Sequence, residues 1–214
     1  ALLAVLALAA ALRMGWPGVH TWSYDEARVA LLALETARGG QVATVGIQSS
    51  AGFPNLPAAV WLYALPLGIT PDPLVASLAT GVVNVLAVAG LWWLVRRAAG
   101  AWAGLVAATL YAGAPFAAFY SRAVWSQDLL GPLAVAWALL GVRAARDGGS
   151  GRSSQVALAA HVLLAGLAPQ VHFAGAALLP PTTWLGVRYR LWRRPWPVVA
   201  GGALALAAAA PYVW

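Results

Sequence analysis

The stretch from Leu74 to Val95 holds no charged side chain, and no other feature of the chain constrains its fold more. A helix needs roughly 20 apolar residues to cross the hydrocarbon layer of a bilayer. Inside that layer each backbone N–H and C=O must find a partner within the segment, so the run reads as a transmembrane α-helix. Further apolar runs follow at Ala101–Tyr120, Leu129–Val142, Val156–Ala168, Val171–Val187 and Val198–Trp214. Several are short for a full crossing, which predicts tilting, breaks or burial among neighbours. Composition agrees. Of the 214 residues, 62% are hydrophobic and only 9% charged, where a soluble domain carries about 25% charged residues. The expected fold is all-α: a polytopic transmembrane helical bundle.

The arginines orient it. All 13 basic residues are Arg. Arg96 and Arg97 follow the Leu74–Val95 run; Arg143, Arg146 and Arg152 follow Leu129–Val142; Arg188, Arg190, Arg193 and Arg194 follow Val171–Val187. Every second connection is Arg-rich, which assigns those connections to the cytoplasm. The intervening connections, His20–Asp72, Ser121–Asp128 and Pro169–His172, then face the other way and carry most of the remaining ionisable groups. The expected location is the plasma (inner) membrane, multi-pass, with the functional face extracytoplasmic. A net charge of +7 could suit nucleic acid, but these arginines sit between apolar runs and form no basic stripe. Membrane lipid is the expected partner and nucleic acid is not. Trp92, Trp93, Trp102, Trp184, Trp192 and Trp196 cluster near the Arg-rich ends, as an interfacial aromatic belt requires.

The first apolar run, Ala1–Leu12, is too short to span. The chain opens on Ala1 and its last run stops at Trp214. Both ends are expected to be cut, so that 1–214 forms a single transmembrane module of a longer chain, with an external loop over about 20–72. A secretory signal peptide is the competing reading of the N-terminus. With no cysteine, disulfide and thiolate chemistry are absent. The stretch Asp147–Ser154 reads as a flexible loop.

The external loop carries its own signals. Ser23-Tyr24-Asp25-Glu26 has capping-box spacing and starts a helix expected over about Asp25–Arg38, with Asp25, Arg28, Glu35 and Arg38 along one side. A narrow polar stripe on an apolar helix suits the membrane interface. Gly39-Gly40 ends it, a Gly/Ser/Pro-rich loop follows over Gly46–Pro57, and a second apolar helix spans about Ala58–Leu67 between Pro57 and Pro66. Glu26 is either a helix cap or a functional acid. Ser23 and Glu26 already account for the cap, which leaves Asp25 as a carboxylate held ionised by the helix N-terminus and suited to a general base.

Two other segments face the same side. Arg122, in Ser121–Asp128, opposes the prevailing charge bias and so needs a local partner: either an ion pair with Asp128 that braces the turn, or an acid or phosphate in a site. Pro169-Gln170-Val171-His172 is expected to interrupt the hairpin between two spans, and His172 is either a polar interface residue or a phosphate donor. His161 lies mid-span, where a helix–helix hydrogen bond is the simpler reading. No cofactor is expected; a divalent metal stays open, although no two histidines stand at ligand spacing on one helix.

These motifs, in this order, resemble the GT-C-fold membrane glycosyltransferases of the protein O-mannosyltransferase and aminoarabinose-transferase type, families 39 and 83. Asp25-Glu26 is similar to their Asp-Glu pair on the first loop helix. Phe53–Pro57 through Leu65-Pro66-Leu67 resembles their second loop helix, Ser121-Arg122 with Asp128 their Ser-Arg segment ending in Asp, and Gly166–His172 with Leu178-Leu179-Pro180 their Gly-Leu-Ala stretch. The resemblance implies a polyprenyl-phosphate-linked sugar as donor and transfer with inversion. It further implies Asp25 as catalytic base, Arg122 and His172 on the departing phosphate, and Glu26 and Asp128 orienting sugar or acceptor; Gln170 is carried with them as a substrate-binding residue. Two rivals share the residues: a transporter or flippase, whose broken helices also bear polar groups, and a non-catalytic subunit with partners in a larger membrane complex.

Overall fold

The computed structural model describes residues 1–19, 22–49, 52–145 and 151–213. Ten α-helices occur among them: α1 (Leu2–Met14), α2 (Tyr24–Arg38), α3 (Ala58–Ile69), α4 (Pro73–Ala99), α5 (Ala101–Gly113), α6 (Pro115–Tyr120), α7 (Leu130–Ala145), α8 (Arg152–Val171), α9 (Leu179–Arg188) and α10 (Pro195–Val213). The only extended pairing among these residues is one isolated bridge, Gln48 with Pro54. The fold is an all-α polytopic bundle. Among the described residues four helical stretches are long and apolar enough to cross a membrane: Pro73–Ala99, Ser126–Ala145, Arg152–Val171 and Pro195–Val213. Leu86, Leu110 and Leu206 on its outer surface are 64%, 68% and 74% exposed, which in water would be an aggregating surface and in lipid is an ordinary one.

Prolines decide where the expected spans break. Ala101–Tyr120 is two helices, not one. Pro115 restricts the preceding residue, and Ala114 takes φ −59° and ψ 117°, outside the helical well; α6 then starts on Pro115, where a missing N–H is harmless. Pro169 acts differently. The expected interruption at Pro169–His172 falls on its last residue, because α8 runs through Pro169 to Val171 and only His172 is extended, with φ −159° and ψ 143°. Pro169 stands two residues before the helix end, and a hydrogen bond lost there is tolerated where neighbouring helices pack around it. The expected span Val171–Val187 is also replaced. Its first residue closes α8, a 3₁₀ segment Phe173–Leu178 follows, and α9 starts anew at Leu179 ahead of Pro180 and Pro181. Likewise α3 passes Pro66 and ends at Ile69. Of the loop expected at Asp147–Ser154, residues 147–150 lie outside the described residues, and Arg152–Ser154 form the first turn of α8.

Small residues set the packing. Gly100, at φ 93°, turns the chain between α4 and α5. A Cβ on Gly201 of α10 would strike the Ala159 carbonyl of α8, and one on Gly166 would come within 2.6 Å of Ala205; α8 and α10 therefore run close and parallel. His161 in α8 contacts the Trp137 carbonyl of α7 through Nδ1 at 2.9 Å and stacks on its indole, the interhelical contact expected for it.

The α2–α3 hairpin forms a platform on one end of the bundle. Val29, Ala33, Val60, Tyr63 and Leu67 pack with Val124 and with Ala76 of α4. The opposite face of α2 keeps Arg28, Glu35 and Arg38 exposed, so the expected polar stripe is present. Arg38 Nε donates to the Leu67 carbonyl at 3.0 Å, and Tyr212 of α10 donates to the Pro54 carbonyl at 3.0 Å. At the other end Arg96 and Arg97 lie over Trp92 and Trp93, Arg143 donates to Ser153, and Arg194 to the Ala144 carbonyl.

Candidate functional site

The platform, the turn after α6 and the end of α8 meet at the same end of the bundle. The turn is held from beneath. Tyr63 Oη donates to the Trp125 carbonyl at 2.8 Å, Asn84 Nδ2 donates to the Asp128 carbonyl at 3.0 Å, and Ser77 Oγ donates to the Arg122 carbonyl. Asn84 Oδ1 in turn accepts from Tyr111 Oη at 3.3 Å. These anchors make Ser126–Leu129 a 3₁₀ turn and direct Asp128 inward, where it is only 5% exposed.

Asp128 lines a cavity of about 490 Å³ with Asn84, Tyr111, Tyr120, Gln127 and His172. Neither of its carboxylate oxygens has a hydrogen-bond partner. A buried carboxylate without partners is costly, and in a cavity wall it is open to hydrogen bonding by a ligand. The expected brace between Arg122 and Asp128 is absent. The guanidinium instead donates to the carbonyls of Leu12, Gly15, Trp16 and Val19 at 2.8 to 3.1 Å, closing the C-terminal end of α1 whose last carbonyls have no partner in the helix.

Glu26 caps its helix. Its Oε2 accepts from the Ser23 N–H at 2.6 Å and its own N–H donates to Ser23 Oγ at 3.4 Å, a complete capping box. It is also 3% exposed, with Oε1 unpartnered, and it borders a second cavity of about 220 Å³ shared with Phe119, Tyr120 and Trp125. Tyr120 belongs to both cavities. Burial above all, then the charge of Asp128 and to a smaller extent that of Glu26, pushes the Tyr63 phenol well above its ordinary range.

Asp25 is half-buried, lines neither cavity, and makes no hydrogen bond or ion pair among the described residues. Gln170 is turned away, donating to the carbonyls of Gly166 and of Ala205 in α10 at 2.9 and 2.7 Å. His172 is half-buried, its Nδ1 accepts from the Ala174 N–H at 3.2 Å, and burial lowers its pKa from the ordinary value. Ser23–Arg38, Arg122 and His172 all lie at one end of the bundle. Among the described residues no three His, Asp or Glu side chains gather closely enough to hold a metal ion.

The chain matches, over residues 54–214, a family model described as dolichyl-phosphate-mannose-protein mannosyltransferase. The chain belongs to that family. It is a membrane glycosyltransferase of the GT-C, mannosyltransferase type. The matched region contains the turn, Asp128 and His172, and opens at Pro54, after the helix with Asp25 and Glu26. No curated protein and no solved structure matches the chain.

Three further polar residues shape this end of the bundle and the helices beneath it. Asn84 is an amide in the middle of the most apolar span, a placement that itself signals a buried role. Arg13 closes the first apolar run; it is 2% exposed and donates to the carbonyls of Tyr111 and Ala112 at 2.9 and 2.8 Å. Gln127 stands beside Asp128 and carries no charge to draw attention.

Proposed function

We propose that the chain transfers a sugar from a polyprenyl-phosphate carrier to an acceptor hydroxyl, with inversion, on the side of the membrane that bears the α2–α3 platform. The arginine-rich end makes that side extracytoplasmic by the positive-inside rule, and the membrane is the plasma (inner) membrane. The supporting observation is the unpartnered, buried Asp128 carboxylate sharing one cavity with His172 at the platform end. Beside it runs an apolar groove of about 410 Å³ between α3, α4 and α7, walled by residues such as Leu62, Pro66, Val83 and Leu133; it suits an isoprenoid tail whose phosphate reaches the polar cavity.

In this reading Asp25 takes the proton from the acceptor hydroxyl. The acceptor oxygen bonds to the anomeric carbon from one face as the bond to the phosphate oxygen breaks on the other, and the lipid phosphate leaves with the electron pair. His172 donates to that oxygen as charge develops on it. Asp128 and Glu26 accept from sugar or acceptor hydroxyls. Arg122 supports the site by fixing the end of α1, from which the chain leads to Asp25, and Gln170 by tying the end of α8 to α10. The test is transfer from a synthetic polyprenyl-phosphate sugar by the full-length protein in nanodiscs. The wild type is expected to give the inverted anomer by NMR. Asp25→Asn should lose about 10²–10⁴-fold in rate, and wild-type turnover by that variant would remove Asp25 as base.

A further inference from the structure

Four groups stand in a row, the last three of them on the cavity: the Trp125 indole, the Gln127 amide, the His172 ring and the Ala174 backbone. Trp125 Nε1 donates to Gln127 Oε1; Gln127 Nε2 lies 3.1 Å from His172 Nε2; the Ala174 N–H donates to His172 Nδ1 at 3.2 Å. The outer two, indole N–H and backbone N–H, can only donate. A glutamine amide offers one acceptor atom and a neutral imidazole one, so three contacts share two acceptors. With the ends satisfied, the central pair is donor facing donor. Turning the amide over, or moving the ring proton, shifts the conflict to another contact and removes none, so the result does not depend on the amide or tautomer assignment. Protonating the ring adds a further donor.

An acceptor oxygen set against both N–H groups relieves this conflict, and an anionic oxygen does so best, because charge-assisted hydrogen bonds are roughly twice as strong as neutral ones. The location agrees. Both side chains line a cavity that borders on Phe116 and Ala117 of α6, a wall that would repel a small hydrated anion and accept a lipid-borne one.

We propose that Gln127 and His172 form a two-armed N–H cradle for a phosphate oxygen, and that Gln127 is a ligand-binding residue of this enzyme. That the phosphate is carried on an isoprenoid lipid rests on the function proposed above; the cradle itself rests on the donor count. Trp125 is then a positioning residue, since its indole pins the amide oxygen and so turns the amide nitrogen toward the cavity.

The test is equilibrium binding of a synthetic isoprenyl monophosphate, presented in phosphatidylcholine vesicles, to the full-length protein carrying Asp25→Asn so that turnover does not intervene. Gln127→Ala is expected to weaken binding about 10-fold, the loss of one hydrogen bond to a charged group. Gln127→Glu supplies an acceptor to both Trp125 and His172; it should hold or raise the thermal midpoint while weakening binding more than 10-fold. Inorganic phosphate at millimolar concentration should fail to displace the lipid. Wild-type affinity in both Gln127 variants would overturn the cradle, whereas full displacement by inorganic phosphate would overturn its lipid source. If Asp25→Asn still transfers sugar, the proposed base falls and the cradle stands or falls on these titrations alone.

Discussion

Arg122 Nη1 lies 2.9 Å from the carbonyl oxygen of Leu12, across 110 positions of sequence. The relationship has a counterpart. Arg122 closes the end of α1, while Arg13, at the end of α1, closes the end of α5 through Tyr111 and Ala112. Each arginine satisfies carbonyls that another helix leaves open, in a setting where lipid offers no substitute donor. Arg122→Ala should therefore act on folding first, lowering stability by about 3 kcal/mol. Arg122→Lys keeps the charge but loses the planar fork, and should recover less than half of that loss. Thermal unfolding in detergent checks both; a lysine variant as stable as the wild type would make the charge alone sufficient.

Ser23 and Glu26 allow capping to be separated from chemistry. Ser23→Ala removes the acceptor for the Glu26 N–H and should cost about 1 kcal/mol without abolishing transfer. Glu26→Gln keeps an acceptor oxygen for the Ser23 N–H, so stability should stay within about 0.5 kcal/mol. A large fall in transfer by that variant, at wild-type stability, would show that the unpartnered Oε1 acts on a ligand and not on the helix.

What the sequence disclosed follows from how local each cause is. The helix Pro73–Ala99 needed only a long uncharged run, and the α2 start needed only Ser23 and Glu26 three residues apart, so both were legible. Pro115 and Pro169 were not. The same residue opens a helix in one place and rides through one in the other, and the difference lies in distance from the helix end and in what packs alongside. The site divides in the same way. The end of the bundle that holds the acids could be read from arginine alternation, whereas the partner of Arg122 is a carbonyl on a distant helix and has no signature in the chain. Gln127 was invisible for a related reason, since its role comes from a count of donors that only the folded rim assembles.

Gly201 offers a test of the α8–α10 seam. Its missing side chain lets the Ala159 carbonyl approach, with Val162 Cβ 2.9 Å from where a Cβ would stand. A larger residue must push the helices apart, and overpacking of this kind costs typically 1–3 kcal/mol. Gly201→Val should lower the thermal midpoint and loosen Gln170, whose amide bridges the same seam to Ala205. Gly202, with open space around its Cβ position, is the control: Gly202→Ala should be neutral or stabilising, because alanine favours the helix. Equal effects at the two positions would mean that the seam is not close-packed.

Acid should weaken the fold through His172. Burial lowers its pKa from the ordinary 6.5, so between that value and the lowered one the unfolded chain binds the proton and the folded chain does not. Stability therefore rises with pH through this window, is complete above about 6.5, and is lost progressively as the pH falls toward the folded pKa. The protonated ring also loses its ability to accept from Ala174, which releases the residue that closes α8. His172→Gln should flatten this part of the pH–stability profile relative to the wild type, with the two curves parallel above neutrality. The difference between the two profiles isolates His172 from the other histidines, and an unchanged slope in the variant would place the acid sensitivity elsewhere.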